Sequence, residues 1–181
     1  MKKLLLCVPV FALLLQGCGV NMTRYEPNFD NVQVLKKDLP LHAVTSPQVT
    51  APSSLSSLSV RANPIKSPNG NIPQHIQAAI TEELRLAGLV DEKADRSLDV
   101  VLVTSELDAG MGTGSGKLAA RFTVHKGSDV LYDATQQSSS TWESSFVGAV
   151  AVPAAANAYN PLVRELLHNL YSDPLFVQAL K

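Results

Sequence analysis

The sequence predicts an α+β fold, a two-layer sandwich in which helices cover one face of a mainly antiparallel sheet. Three observations carry this. Apolar residues repeat every second position in some segments and at helical spacing in others. Short connections separate three consecutive strand-like segments, and such connections join antiparallel neighbours. One helical stripe precedes this meander and another comes after it. The expected order is therefore strand, helix, three-stranded meander, helix.

The first strand is expected near Leu58, where Leu58, Val60 and Ala62 alternate with Ser59, Arg61 and Asn63. Pro64, Pro68 and Asn69-Gly70 then mark a loop. A helix is predicted from about Pro73 to Ala87, with Ile72, Ile76, Ala79, Ile80 and Leu84 on one face. Pro suits a first turn, where no N–H is needed. Gly88 suits the left-handed cap, with Leu89 folding back. Leu98 to Leu107 is the strongest strand. Its consecutive Val100, Val101, Leu102 and Val103 read as a strand covered on both faces.

Asp108 to Gly116 reads as a glycine-rich connection to a strand from about Lys117 to His125. Lys126-Gly127-Ser128-Asp129 is a hairpin turn, because tight hairpins require positive φ. A third meander strand runs from Val130 towards Trp142. Asn160-Pro161 is expected to cap a last long helix with Leu162, Leu166, Leu167 and Leu170 as its stripe. Asp173-Pro174 starts a short helix to Leu180.

The first residues carry a different signal. Lys2 and Lys3 precede the apolar run Leu4–Leu15, which is shorter than the roughly 20 residues a spanning helix needs. It fits the core of a secretion signal. Leu15-Gln16-Gly17-Cys18 then reads as a lipobox, with cleavage between Gly17 and Cys18. Cys18 would carry a diacylglyceryl thioether and an N-acyl chain such as palmitate. Two or three acyl chains anchor firmly, at about 0.8 kcal/mol per buried methylene. This divides the chain into a signal peptide, 1–17; the lipidated cysteine and a flexible tether, 18–57; and a periplasmic domain, 58–181. The tether reading rests on Pro27, Pro40, Pro47, Pro52 and the Ser/Thr-rich stretch 45–59. One short strand is expected within it, at Val32-Gln33-Val34-Leu35.

Losing Lys2 and Lys3 from the 15 basic residues leaves 13 against 16 acidic ones. That balance argues against a nucleic-acid partner, for which a basic face is expected. With Cys7 removed and Cys18 acylated, the mature domain has neither a disulfide nor a cysteine metal ligand.

No motif supplies chemistry. Gly110-Met111-Gly112-Thr113-Gly114-Ser115-Gly116-Lys117 fails the phosphate-loop spacing at Met111 and Leu118, so no nucleotide is expected. His42, His75, His125 and His168 have no metal-ligand spacing, and His75 and His168 are expected on solvated helix faces. Glu82-Glu83 and Asp91-Glu92 read as surface charge. The chain is therefore expected not to be an enzyme, and to need no cofactor beyond its covalent lipid.

Two segments suggest binding. Ser138-Ser139-Ser140-Thr141 with Trp142 could form a polar ledge for peptidoglycan, although an edge strand wetted by water explains it as well. The uncharged segment from Phe146 to Ala158 reads either as buried packing or as an apolar contact surface through Phe146, Val147, Val150 and Val152.

From about Ile76 onward the chain resembles the YajG-type small outer-membrane lipoproteins. The resemblance lies in the lipobox, the Leu98-Asp99-Val100-Val101-Leu102 strand after a helix, and the ending Asn160-Pro161-Leu162-Val163-Arg164-Glu165-Leu166-Leu167 with Asp173-Pro174-Leu175-Phe176. More distantly, the layout resembles the N-terminal domain of TolB and the auxiliary lipoproteins of envelope transport systems. The resemblance implies helices on one side of a sheet and a role in protein contacts, and it supplies no catalytic residues to carry over. Gly19 rather than Asp after Cys18 implies, by the same kind of resemblance, the outer membrane, inner leaflet, facing the periplasm. The expected role is a non-enzymatic accessory module with an envelope-protein partner. Alternatives are a peptidoglycan-binding protein and a subunit of a secretion pore.

Overall fold

The computed structural model describes residues 19–37 and 40–181. In chain order the elements are β1 Val20–Asn21, α1 Phe29–Lys37, β2 Gln48–Thr50, a 3-10 turn Ser53–Leu55, β3 Leu58–Val60, β4 Asn63–Lys66, α2 Ile72–Leu86, β5 Arg96–Ala109, β6 Thr113–Lys126, β7 Asp129–Glu143, α3 Gly148–Tyr171 and α4 Pro174–Ala179. They form an α+β sandwich with two mixed sheets, ordered β1-β4-β3 and β2-β5-β6-β7. The meander β5-β6-β7 is antiparallel, as expected, but β1 joins β4 and β2 joins β5 in parallel.

Those two parallel strands come from the segment read as a tether. Over its described residues that segment is part of the fold. Met22, Tyr25, Val32, Leu35, Val44 and Val49 are all buried in the main core. Composition misleads here because these residues are spread singly among polar ones, and only distant partners make them a core. Val32 to Leu35 lies within helix α1 rather than a strand. Val32 and Leu35, three apart, share its buried face with Asn31.

Helix α2 starts with a capping box: Asn71 Oδ1 accepts from Gln74 N, and Gln74 Oε1 accepts from Asn71 N. It ends at Gly88, whose φ is +78°, with Leu89 N bonded to Leu84 O. Strand β5 has only one covered face. Leu98, Val100 and Leu102 are buried while Val101 and Val103 are exposed, at 45% and 52%. A bulge between Leu102 and Thr104 then shifts the register, so Ser105 and Ala109 point to the core.

The glycine-rich segment is mostly strand. Strands β5 and β6 extend to Ala109 and from Thr113, leaving a tip of Gly110-Met111-Gly112. Gly114 and Gly116 serve packing. A Cβ on Gly114 would lie 2.3 Å from the Trp142 indole, and one on Gly116 2.6 Å from Leu162 Cδ1.

Asn160-Pro161 does not begin the long helix. Helix α3 runs for 24 residues through Pro153 and Pro161. An interior proline costs about 3 kcal/mol. Leu162, Val163, Leu166, Leu167, Leu170 and Tyr171 are all fully buried after it. At about 1.5–3 kcal/mol for each large apolar side chain, that burial outweighs the lost bond. Asp173 caps α4 through Leu175 N, as expected.

Candidate functional site

Gly17 and Cys18 lie outside the described residues; Gly19 is the first of them. The segment on the C-terminal side of Cys18 is held down by two buried polar networks. In the first, Asn160 on α3 donates through Nδ2 to Thr23 O and Thr23 Oγ1, both at 3.0 Å. That orientation leaves Oδ1 facing His75 Nε2 at 2.8 Å, so the imidazole carries its proton on Nε2. Its Nδ1 then accepts from Ser67 Oγ at 3.1 Å. His75 is fully buried rather than on a solvated face. Burial lowers its pKa, against the raising effect of the Asn160 bond, and keeps the ring neutral.

The second network centres on Glu83, which is also fully buried rather than surface charge. Its Oε1 accepts from Tyr25 Oη at 2.6 Å and from Asn28 N at 2.7 Å. Asn31 Nδ2 lies 3.2 Å from Oε2 and also donates to Arg164 O. Burial raises the Glu83 pKa, and these donors pull it back down. His168 Nδ1 reaches Asn31 Oδ1 at 3.1 Å, and the Arg164 guanidinium sits 5.8 Å from the Tyr25 ring centre. Residues 23–31 thus form a strap bolted to α2 and α3. The sequence pairs Glu82 with Glu83, and their immediate neighbours give no sign that they differ. Helical spacing does carry one: Glu83 stands next to Leu84 and three positions after Ile80, on the buried stripe.

A third cluster lies where the β5–β6 tip meets the β3–β4 turn. Arg61, in the left-handed region at φ +49°, spreads its guanidinium over four backbone carbonyls. Nε and Nη2 donate to Ala109 O at 2.9 and 2.6 Å, and Nη2 also to Ser145 O at 2.7 Å and Gly110 O at 3.2 Å. Nη1 donates to Phe146 O at 2.9 Å. Ser144 N bonds Gly112 O, closing the ring of backbone. Alternation in the sequence makes Arg61 an outward strand residue and gives no hint of this clamp.

Around the clamp, Phe146 and Val150 stand 75% and 58% exposed, Val147 is also exposed, and Met111 is 83% exposed. Val152 is buried with Ala151, Ala155 and Ala156, so it is core and not contact surface. The segment from Phe146 to Ala158 thus has two faces. Its N-terminal residues are outward, and its alanines pack inward.

The supposed glycan ledge does not form as a unit. Side chains alternate along a strand, which puts Trp142 on the opposite face of β7 from Ser139 and Thr141. Trp142 packs over Gly114, and the Ser138 hydroxyl is spent on Leu162 O at 2.8 Å. His42 lies outside any helix or strand, His125 on β6 and His168 on α3. Among the described residues no three His, Cys, Asp or Glu side chains gather closely enough to hold a metal ion. Among the same residues, no helix is long and apolar enough to cross a membrane.

No family model and no curated protein matches the chain. Solved structures do resemble it. A hypothetical protein, CT253, from Chlamydia trachomatis has a TM-score of 0.46 at 10% identity, covering 72% of this chain and 96% of that one. A candidate lipoprotein from Caulobacter crescentus has a TM-score of 0.44 at 13% identity, covering 83% and 96%. Protein XCC0632 from Xanthomonas campestris, of the family described as DUF330, has a TM-score of 0.58 at 15% identity, covering 87% and 95%. At that identity the likeness is one of fold: the chain shares its α+β architecture with a DUF330 protein.

Proposed function

We propose that this chain is an outer-membrane lipoprotein of the YajG type, anchored through Cys18 and serving as a non-enzymatic accessory module of an envelope assembly or transport complex. The anchor rests on the sequence: the Lys2-Lys3 start, the apolar run and the lipobox. The accessory role rests on one structural observation. The four-stranded sheet has helix α3 on one face and an open opposite face.

That open face is largely polar and carries an exposed apolar pair on β5. Asp99, Lys117 and the Arg121–Asp133 ion pair surround the exposed Val101 and Val103. Apolar side chains set among polar ones are the usual anatomy of a protein contact. The buried ionisable groups Glu83 and His75 are meanwhile committed to holding the strap.

Photo-crosslinking in cells from Val101 and Val103, at native expression, tests this. A discrete protein adduct is expected at these positions and not at Glu82 on α2. If neither valine crosslinks to protein any more than Glu82 does, the accessory reading is overturned. The mass of the membrane-extracted N-terminal peptide tests acylation separately.

A further inference from the structure

Strand β1 runs parallel to β4, with Val20 opposite Ile65 and Asn21 opposite Lys66. Strand β4 leads away from the Arg61–Ala62 turn. Going backwards along β1 therefore leads towards that turn. Gly19 already sits there: a Cβ on it would lie 3.1 Å from Pro64 O and 2.7 Å from Lys66 Cε. Cys18 is one peptide bond further, a Cα step of about 3.8 Å.

The same turn carries Arg61, and Arg61 gathers the β5–β6 tip and the start of α3. The exposed Met111, Phe146, Val147 and Val150 thus surround the pole towards which the chain leads back to Cys18. Leu175 on α4, also exposed, lies at the other end of the sheet, where Phe176 packs edge-to-face against Tyr132 near the start of β7.

We infer that this pole rests on the membrane, with Met111, Phe146, Val147 and Val150 entering the interfacial layer of the leaflet that holds the Cys18 acyl chains. The inference rests on the lipoprotein reading and adds an orientation to it.

Two features suit lipid. The segment from Ser144 to Asn160 carries no charged side chain. Backbone carbonyls, which are costly when left bare in lipid, are taken up here by Arg61 at Ala109, Gly110, Ser145 and Phe146. The charges around the tip cancel: Arg61 and Lys66 stand against Asp108 and Glu143. No net attraction to anionic headgroups is left, so the contact is carried by the apolar side chains and depends little on salt.

The test uses the full chain, processed in cells, purified and reconstituted into vesicles of phosphatidylethanolamine and phosphatidylglycerol. Acylation occupies Cys18 and processing removes Cys7, so one introduced cysteine is the sole free thiol. Met111→Cys, Phe146→Cys and Val150→Cys carry an environment-sensitive dye; Val103→Cys and Leu175→Cys are exposed controls. The pole dyes are expected to shift to the blue and lose most of their emission to brominated acyl chains, at low and high salt alike. The controls are expected to do neither. Unquenched pole dyes on protein whose N-terminal peptide has the acylated mass would overturn the orientation alone. Quenching at Val103 or Leu175 instead would also overturn it, as would in-cell crosslinks from Phe146 to a protein rather than to lipid. An N-terminal peptide without acyl mass would overturn the lipoprotein reading itself.

Discussion

Trp142 is the only tryptophan in the chain, and its indole lies against the bare backbone of Gly114. Gly114→Ala would place a methyl group inside that contact. Overpacking of this kind costs about 1–3 kcal/mol. The variant is expected to unfold at correspondingly lower denaturant, with tryptophan emission shifted to the red, and fluorescence-monitored urea unfolding reads both. Glu83 gives a second prediction. Glu83→Ala leaves the Tyr25 hydroxyl, the Asn28 N–H and the Asn31 amide short of an acceptor, and is expected to cost about 3 kcal/mol. Glu83→Gln keeps an acceptor and removes the charge. Because burial raises this carboxyl, the folded chain holds its proton more tightly than the unfolded chain does. The stability it contributes is full below the ordinary carboxylate value and declines as pH rises to the raised one. Unfolding curves of Glu83→Gln across that window should lack this decline. His75 has the opposite sign: its lowered pKa costs stability as pH falls from the ordinary imidazole range to the depressed value.

The β3–β4 turn is an element held in an unfavourable backbone. Both Arg61 and Ala62 have positive φ, and neither is glycine. Ala62 is exposed and its methyl group makes no hydrogen bond, so Ala62→Gly relieves the strain at little loss. It is expected to raise stability by about 0.5–1 kcal/mol in thermal or denaturant unfolding. Arg61→Ala leaves four carbonyls without their donor. Amide exchange is expected to quicken around residues 109–113 and 144–147, while the middle of β6 stays protected.

The same elements show what the sequence carries and what it hides. The meander, α2 and α4 are legible because each is set by local pattern: alternation, a helical stripe, Gly88, Gly127 or Asp173. The start of α3 is hidden because Asn160-Pro161 is a strong local stop signal that distant burial overrides. Arg61 and Asn160 are hidden for a related reason. Their partners lie 48 to 137 residues away, and nothing adjacent in sequence announces them. For Phe146 and Val150 the sequence allows both an outward and a buried position. Only the packing of Ala151, Ala155 and Ala156 shows which residues of that stretch turn inward.

For the whole molecule, the strap replaces an expected tether by a fixed mount. A flexible segment of that length would let the domain roam. Here residues 20–37 contribute a strand, a helix and the partners of Asn160 and Glu83. A chain lacking residues 19–37 is expected to lose its cooperative unfolding transition or to become insoluble. Circular dichroism during heating checks this, since removing a true tether would leave the transition unchanged.

The bonds that close the strap also set an order of events in time. Thr23 meets Asn160 across 137 residues, and Asn31 meets Arg164 across 133. A chain delivered from its N-terminus cannot make these contacts until α3 has arrived, and such distant pairings form late. Until then the region after Cys18 is not yet held to α3, which on the proposed lipoprotein reading leaves it open to processing enzymes. Once α3 docks, that access closes, so on the same reading maturation of the N-terminus and completion of the fold compete for the same stretch of chain.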